Sequence, residues 1–444
     1  MVRMARLALL LAAALLVAGT VVAAERLNFE DLLIDKEAHP KPPTDEQKQF
    51  EDAKGPFMAF LQSCNDKAYD KAGEQIKGVL MLNVSPDNAL KLRDLASSRQ
   101  IIAILADSPQ IVKLRFQDFL AIAERGRRLW LKDQKRIDEL VKQLVEGDFD
   151  QMWLAVYELT TAGQYAAPRL VEKLMDERDR QAKTRAAIAL KTCGRSVTLP
   201  LAEALLGAPD QVKQEICFIL RESPKGKMII PDRRALPALK TIAQDEKVNL
   251  ATRQEALKTI AIIETAPIAQ LPSAQEIYFT EAEKFYHRDP SLLEPVYQDH
   301  IIWSWENNKL AARVVPEYAY YLEMAEKYCR QALAVDPAYE KVKPLLICSI
   351  YAQYNTALEL LAVAERTPKN ENITEQDVAG LKARKARLEE IINTLPSLGA
   401  KHYYAALQRA LADQQAAIAV FCSDVLKELG SGTELAPSAV AKKP

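Results

Sequence analysis

Glycine is what this chain most lacks: 14 of its 444 residues, about half the usual share of about 7%. A chain so poor in glycine has few places where backbone can approach a phosphate closely, and neither a GxxxxGK[ST] loop nor a GxGxxG turn is present. The GxSxG elbow of a serine hydrolase is missing too. Histidine is scarcer still. The four present are His39, His287, His300 and His402, with no HExxH and no CxxC around which a zinc site would be built. Nor is there an excess of charge of one sign. Fifty-nine basic residues stand against sixty acidic ones, which removes the electrostatic footprint expected of a nucleic-acid binder or of a protein drawn to an anionic membrane surface. Cysteine is present six times, at 64, 193, 217, 329, 348 and 422, without a short repeated spacing. Most of these lie among apolar helix positions, where a free thiol serves as a small hydrophobe. If one pair is bridged, Cys329 and Cys348 are the expected pair, on antiparallel neighbouring helices.

What is present in quantity is Ala, Leu, Glu, Lys and Gln, the strong helix formers, and the composition hardly changes along the chain. One repetitive helical architecture is therefore expected. The first residues set the compartment: Arg3 and Arg6 precede the apolar run Leu7–Ala18, and Val22-Ala23-Ala24 places small residues at −3 and −1 of a cleavage point. Residues 1–24 are read as a secretory signal and Glu25 as the new N-terminus, giving a periplasmic or secreted protein. The alternative is an uncleaved anchor, since Leu7–Ala24 is eighteen residues without charge, the lower limit for a span; Gly19 and Thr20 interrupt that run. No later segment reads as long and apolar enough to cross a membrane.

Residues 25–48 read as a flexible leader rich in proline and polar residues. A helical region, 49–136, follows, with Pro86 and Pro109 at helix starts. From Ile137 the pattern becomes regular: Ile137, Leu140, Val141, Leu144 and Val145 form one apolar helical stripe. A unit then recurs. Ala155 to Leu159, Gly163, and Ala166-Ala167-Pro168-Arg169-Leu170 are echoed 31 or 32 residues later by Ala186 to Leu190, Gly194, and Val197 to Leu201. A third copy leads from Val212 and Ile216 to Pro237, and a partial fourth helix covers Arg253 to Ile263. In each unit a helix stops at glycine, which tolerates the left-handed C′ conformation, and the next begins at proline, whose missing N–H is no loss in a first turn.

On these residues the stretch 137–270 resembles HEAT repeats of the short variety, also seen in phycobilin-lyase-type proteins. Residues 271–370 are similar to a TPR pair at Ala325, Ala332 and Pro337, with Ala357 and Ala364 32 residues beyond the first two. Residues 371–429 read as a charged helix, opened by a capping box at Thr374 to Asp377, and a terminal HEAT-like unit. The tail 430–444 reads as disordered. The resemblance implies an all-α fold, an α-solenoid of antiparallel helix pairs. It further implies a concave face lined by the second helices, those starting near Pro168, Pro200 and Pro237.

The function expected of such a chain is binding rather than chemistry: an exported scaffold that holds a protein or peptide, takes no cofactor or metal, and contacts neither nucleic acid nor membrane once the signal is removed. Two features depart from the repeat pattern. Tyr297 to Glu306 (YQDHIIWSWE) concentrates aromatic and polar groups, including His300. On a helix Trp303 and Trp305, two apart, cannot share a stripe, so either one is exposed as a partner anchor or both seal the junction of the two repeat types from opposite sides. Ser223 to Arg234 is a basic insertion carrying Lys225, Lys227, Arg233 and Arg234, either part of a binding face or a solvated loop. The basic run Arg125 to Arg136 reads as an exposed helix face. Two rival functions remain: a lyase-like or cofactor-handling HEAT-repeat enzyme, which would have to unite His287, Asp299 and His300, and a structural envelope spacer.

Overall fold

The computed structural model describes residues 45–221, 232–264, 267–292, 299–366 and 375–430. The proposed signal, most of the leader, the tail, Lys225, Lys227, Tyr297 and the capping residue Thr374 lie outside the described residues. What is described is predominantly helical and divides into two compact units, one ending at Arg127 and one starting at Arg128.

The first unit holds α1 (Asp45–Asn65), α2 (Tyr69–Met81), α3 (Pro86–Asp94), α4 (Ser98–Asp107) and most of α5 (Gln110–Leu131). Pro86 opens α3 behind a Ser85 cap, and Ser97 with Gln100 forms a capping box on α4. The core is aromatic: Phe57 and Phe60 of α1 meet Phe119 and Phe116 of α5 at 4.9 and 5.2 Å between ring centres, all four buried.

In the second unit the glycine-stop, proline-start pattern is realised. Here α6 (Gln134–Glu146) buries Ile137, Val141 and Leu144, and α7 (Phe149–Ala162) ends at Gly163 with φ +55°. A 3-10 turn leads into α8 (Ala167–Leu174). Likewise α9 (Arg180–Cys193) ends at Gly194 with φ +61° before α10 (Thr198–Gly207), which has Pro200 in its first turn. The pair α11 (Asp210–Arg221) and α12 (Leu236–Gln244) follows, then α13 (Leu250–Ile263). First helices pack on first helices, α7 on α9, α9 on α11 and α11 on α13, while α8, α10 and α12 form a second row. Polar side chains tie successive units: Arg185 of α9 donates to the carbonyls of Leu144, Val145 and Gly147, each at 2.9 Å, satisfying the end of α6. Thr259 of α13 donates to the Cys217 carbonyl at 3.0 Å. The basic run is not uniformly exposed, because Arg136 stacks 3.3 Å over the Trp130 ring and pairs with Glu158 at 2.6 Å.

After α14 (Ala274–His287) the chain departs from an all-helical fold. Residues expected on a helix form a two-stranded antiparallel hairpin, β1 (His300–Glu306) and β2 (Lys309–Val315). Its turn is Asn307-Asn308, both at positive φ (51° and 58°), the conformation of a two-residue type I′ turn that matches strand twist. Helices then resume: α15 (Glu317–Val335), α16 (Lys343–Arg366), α17 (Glu375–Thr394), α18 (Ala400–Ala412) and α19 (Ala416–Gly430). Pro316 is the N-cap residue of α15. Contrary to the sequence reading, one later segment, Glu340–Arg366, is long and apolar enough to span a membrane by length and composition alone. Here α16 is a core helix, packing on α15, α17, α18 and α19.

All six cysteines are free, five of them buried. The expected Cys329–Cys348 bridge does not form although α15 and α16 are neighbours; the Cys348 thiol faces the Ala406 carbonyl of α18 at 3.5 Å.

Candidate functional site

Alternation along the hairpin gives it two chemically different faces. On one, Ile301, Trp303 and Leu310 enter the core built by helices α6–α13, with Trp305 packed against it. On the other, Ile302 and Val315 enter the core of α14–α19. The strands contact α8, α10 and α15. The second-helix row from which a partner-binding face was expected is thus occupied at α8 and α10 by the chain's own hairpin.

This docking is polar as well as apolar. Asp299, leading into β1, accepts from the Tyr165 hydroxyl at 2.8 Å and pairs with Lys132 at 3.1 Å. Lys309 at the turn lies 3.5 Å from Glu172 of α8. Lys327 of α15 pairs with Glu203 of α10 at 2.6 Å and donates to the Trp303 carbonyl. Burial lowers the pKa of the Lys327 ammonium, with Glu203 opposing the shift. Gly207, at the end of α10, is where the fit is closest: a Cβ placed there would lie 1.9 Å from Cδ1 of Trp305. The change G207A is therefore expected to lower stability by about 1–3 kcal/mol, as overpacking does, and to move tryptophan emission to the red, since two of the four tryptophans sit on this hairpin. Unchanged emission and melting would contradict this docking.

Beyond the docked portion, the second face of the hairpin opens into a groove against α15 and α17. Its apolar lining includes Ile302, Ala311 and Ala334, and its cations are Arg313, Lys327, Arg330 and Arg387. Two buried carboxylates lie beneath them, and a third, the exposed Glu306, lines the groove near the turn and accepts from the Ser304 hydroxyl at 2.6 Å. Glu323 sits between Arg313 and Arg384, at 2.5 Å from each; Glu326 pairs with Arg330 at 2.8 Å, lies 3.7 Å from Arg387, and accepts from Gln353 at 2.8 Å. Both glutamate side chains are under 10% exposed, while Arg313, Arg330 and Arg387 are about half exposed. Glu323 and Glu326 are buried and the guanidiniums face solvent, so away from Glu306 the groove presents guanidinium donors on an apolar base. A guanidinium held by a buried carboxylate keeps further N–H donors in a fixed fork, which suits carboxylate recognition.

The residues singled out from the sequence distribute differently. Trp303 and Trp305, two apart on a strand, share a face, and both lie against the core of helices α6–α13; neither is an exposed anchor, and they do not seal from opposite sides. His300 is buried and its ring packs at a tilt against Tyr320, 4.8 Å between ring centres. Arg233 pairs with Glu264 at 2.8 Å. Arg234 forks onto Asp232, reaching 2.6 Å, and caps the Arg195 carbonyl; burial raises the Asp232 carboxyl, but the Arg234 pair outweighs it and holds the pKa below the ordinary range. His287 lies 3.4 Å from Glu283, which is held by Arg409. His287, Asp299 and His300 therefore have separate surroundings and share no partner. Among the described residues no three of His, Cys, Asp and Glu group in a way that would hold a metal ion.

The groove's own charged residues were not found from the sequence. A signal existed: Glu323, Glu326, Lys327 and Arg330 recur at helical spacing along one helix, and Arg384 and Arg387 stand three apart on a later one. In comparisons with known proteins, no family model matches this chain and no curated protein matches it.

Proposed function

We propose that this chain is a non-enzymatic binding scaffold, an α-solenoid in which HEAT-like units at 137–270 lead into TPR-like helices at 271–370. In this reading residues 1–24 are removed and the protein works outside the cytoplasm. It holds a protein or peptide segment. The supporting observation is the open, arginine-edged groove between the hairpin and α15, whose two buried acids, Glu323 and Glu326, are held in internal ion pairs. The second-helix face beside α8 and α10 is the weaker candidate, because the hairpin already packs there.

The test is site-specific photocrosslinking in intact cells, with the reactive side chain placed at Ala311 or Ala334 in the groove and at Asp150 on the exposed start of α7 as a control. Discrete products at both groove positions and none at the control are expected, with mass spectrometry giving the partner. Equal labelling at all three positions would end this reading.

A further inference from the structure

The groove has a second property, which lies in the main chain of β2. The register pairs Glu306 with Lys309, Ser304 with Ala311, Ile302 with Arg313 and His300 with Val315. In a two-residue hairpin the pair flanking the turn exchanges both of its hydrogen bonds, and such pairs alternate with pairs that exchange none. Leu310, Ala312 and Val314 therefore belong to the non-bonded pairs and turn their N–H and C=O away from β1. The matching residues of β1 behave as this requires: the outward carbonyl of Trp303 is taken by Lys327. On β2, Leu310 is buried, but Ala312 and Val314 are exposed, Val314 at 61%. Among the described residues nothing bonds to their main-chain groups. An apolar, solvent-facing edge with free donors and acceptors is a template for another strand.

We infer that the groove's ligand is an extended acidic segment of a partner protein that adds to β2 as a third strand. This rests on the scaffold reading above and specifies what is bound. Side chains directly across from one another on adjacent strands lie on the same face. A residue opposite Arg313 thus points into the groove, where Arg313, Arg330 and Arg387 present half-exposed guanidiniums, and must carry a carboxylate. Residues opposite Ala312 and Val314 point to the other face, where they cover the exposed Val314 side chain, and must be apolar. The recognised pattern is apolar–acidic–apolar in an extended conformation, with main-chain bonds supplying attachment and alternate side chains supplying selectivity.

The probe is a fluorescein-labelled nonapeptide of alternating valine and glutamate, titrated into the full chain by anisotropy, with a valine–lysine peptide of the same length as control. Binding of the first and not the second is expected, weakened at least fivefold by R313A. The variant V314P removes one outward N–H without removing a hairpin bond, since proline is tolerated on the free side of an edge strand. It is expected to weaken the probe at least tenfold while leaving melting and tryptophan emission close to those of the parent. Residue-resolved hydrogen exchange should show the Ala312 and Val314 amides protected only when the probe is bound. If the acidic peptide binds but V314P and both amides are unaffected, strand addition is overturned and the groove remains a site for anions. If it does not bind at all, Arg313 and Lys309 act only to keep edges apart, and the inference fails even where groove crosslinks form. Absence of both the binding and the groove crosslinks overturns the scaffold reading as well.

Discussion

Raising the pH from about 9 to about 11 is expected to unfold the second unit, and the cause is its thiols. Burial pushes the pKa of Cys193, Cys217, Cys348 and Cys422 up to about 12 from an ordinary 9.0. With the folded values raised, the unfolded chain releases these protons first. Their contribution to stability is complete below pH 9 and is lost as the pH climbs toward 12. By about pH 11 each thiol accounts for about 2–3 kcal/mol, and four together for on the order of 10 kcal/mol, comparable with the whole stability of a typical domain. Buried tyrosines act in the same direction, Tyr278 and Tyr403 among them, because burial raises their pKa far above the usual phenol value. Lys327 acts oppositely, since its lowered pKa lets the folded chain lose a proton first as the pH rises; one amine does not offset four thiols. Urea midpoints measured under reducing conditions should be level from pH 7 to 9 and fall steeply above it, and six thiols should titrate in denaturant. A level midpoint through pH 11 would mean that these sulfurs are not buried as described.

The helix ends between 149 and 207 were legible because their punctuation is local. Gly163, Gly194, Pro168 and Pro200 each act through the conformation of their own turn, and the apolar stripe between them needs no knowledge of a neighbour. The hairpin was misread because Ile301-Ile302-Trp303-Ser304-Trp305 was judged by the helical period of its surroundings. The β-branched and aromatic alternation ending at Asn307-Asn308 carried the opposite signal. That one change of period moves Trp303 and Trp305 from opposite sides to the same side, and with them the whole assignment of what is covered. The groove was hidden for another reason. Arg313, Glu323 and Arg384 meet only because β2, α15 and α17 are brought together, and no spacing within one segment encodes that meeting. The unpaired cysteines follow similar logic: adjacency of α15 and α16 was foreseeable, but the direction of Cys348 toward α18 depends on a helix more than fifty residues later.

The exchange E323Q separates what the groove's buried acids do for folding from what its cations do for binding. Glu323 is about 3% exposed and bridges Arg313 of β2 to Arg384 of α17, so it joins the hairpin to the helices behind it. The neutral amide keeps the shape and removes the charge, leaving the Arg384 guanidinium, 14% exposed, without its carboxylate. Breaking a buried pair from one side costs about 3–5 kcal/mol. The half-exposed Arg313 is solvated and places the expectation near the lower end, still well above the about 0–1 kcal/mol of an exposed pair such as Lys91–Asp87. Melting should fall by several degrees. Affinity for the acidic probe should move the other way, because Arg313 no longer has an internal carboxylate competing for its donors. A destabilised protein that binds more tightly is hard to obtain by general loosening of the fold, so opposite signs would tie the effect to this guanidinium. Equal losses of stability and binding would show instead that the hairpin must be clamped by Glu323 before its edge can take a ligand, and unchanged values in both would mean that the bridge is not made.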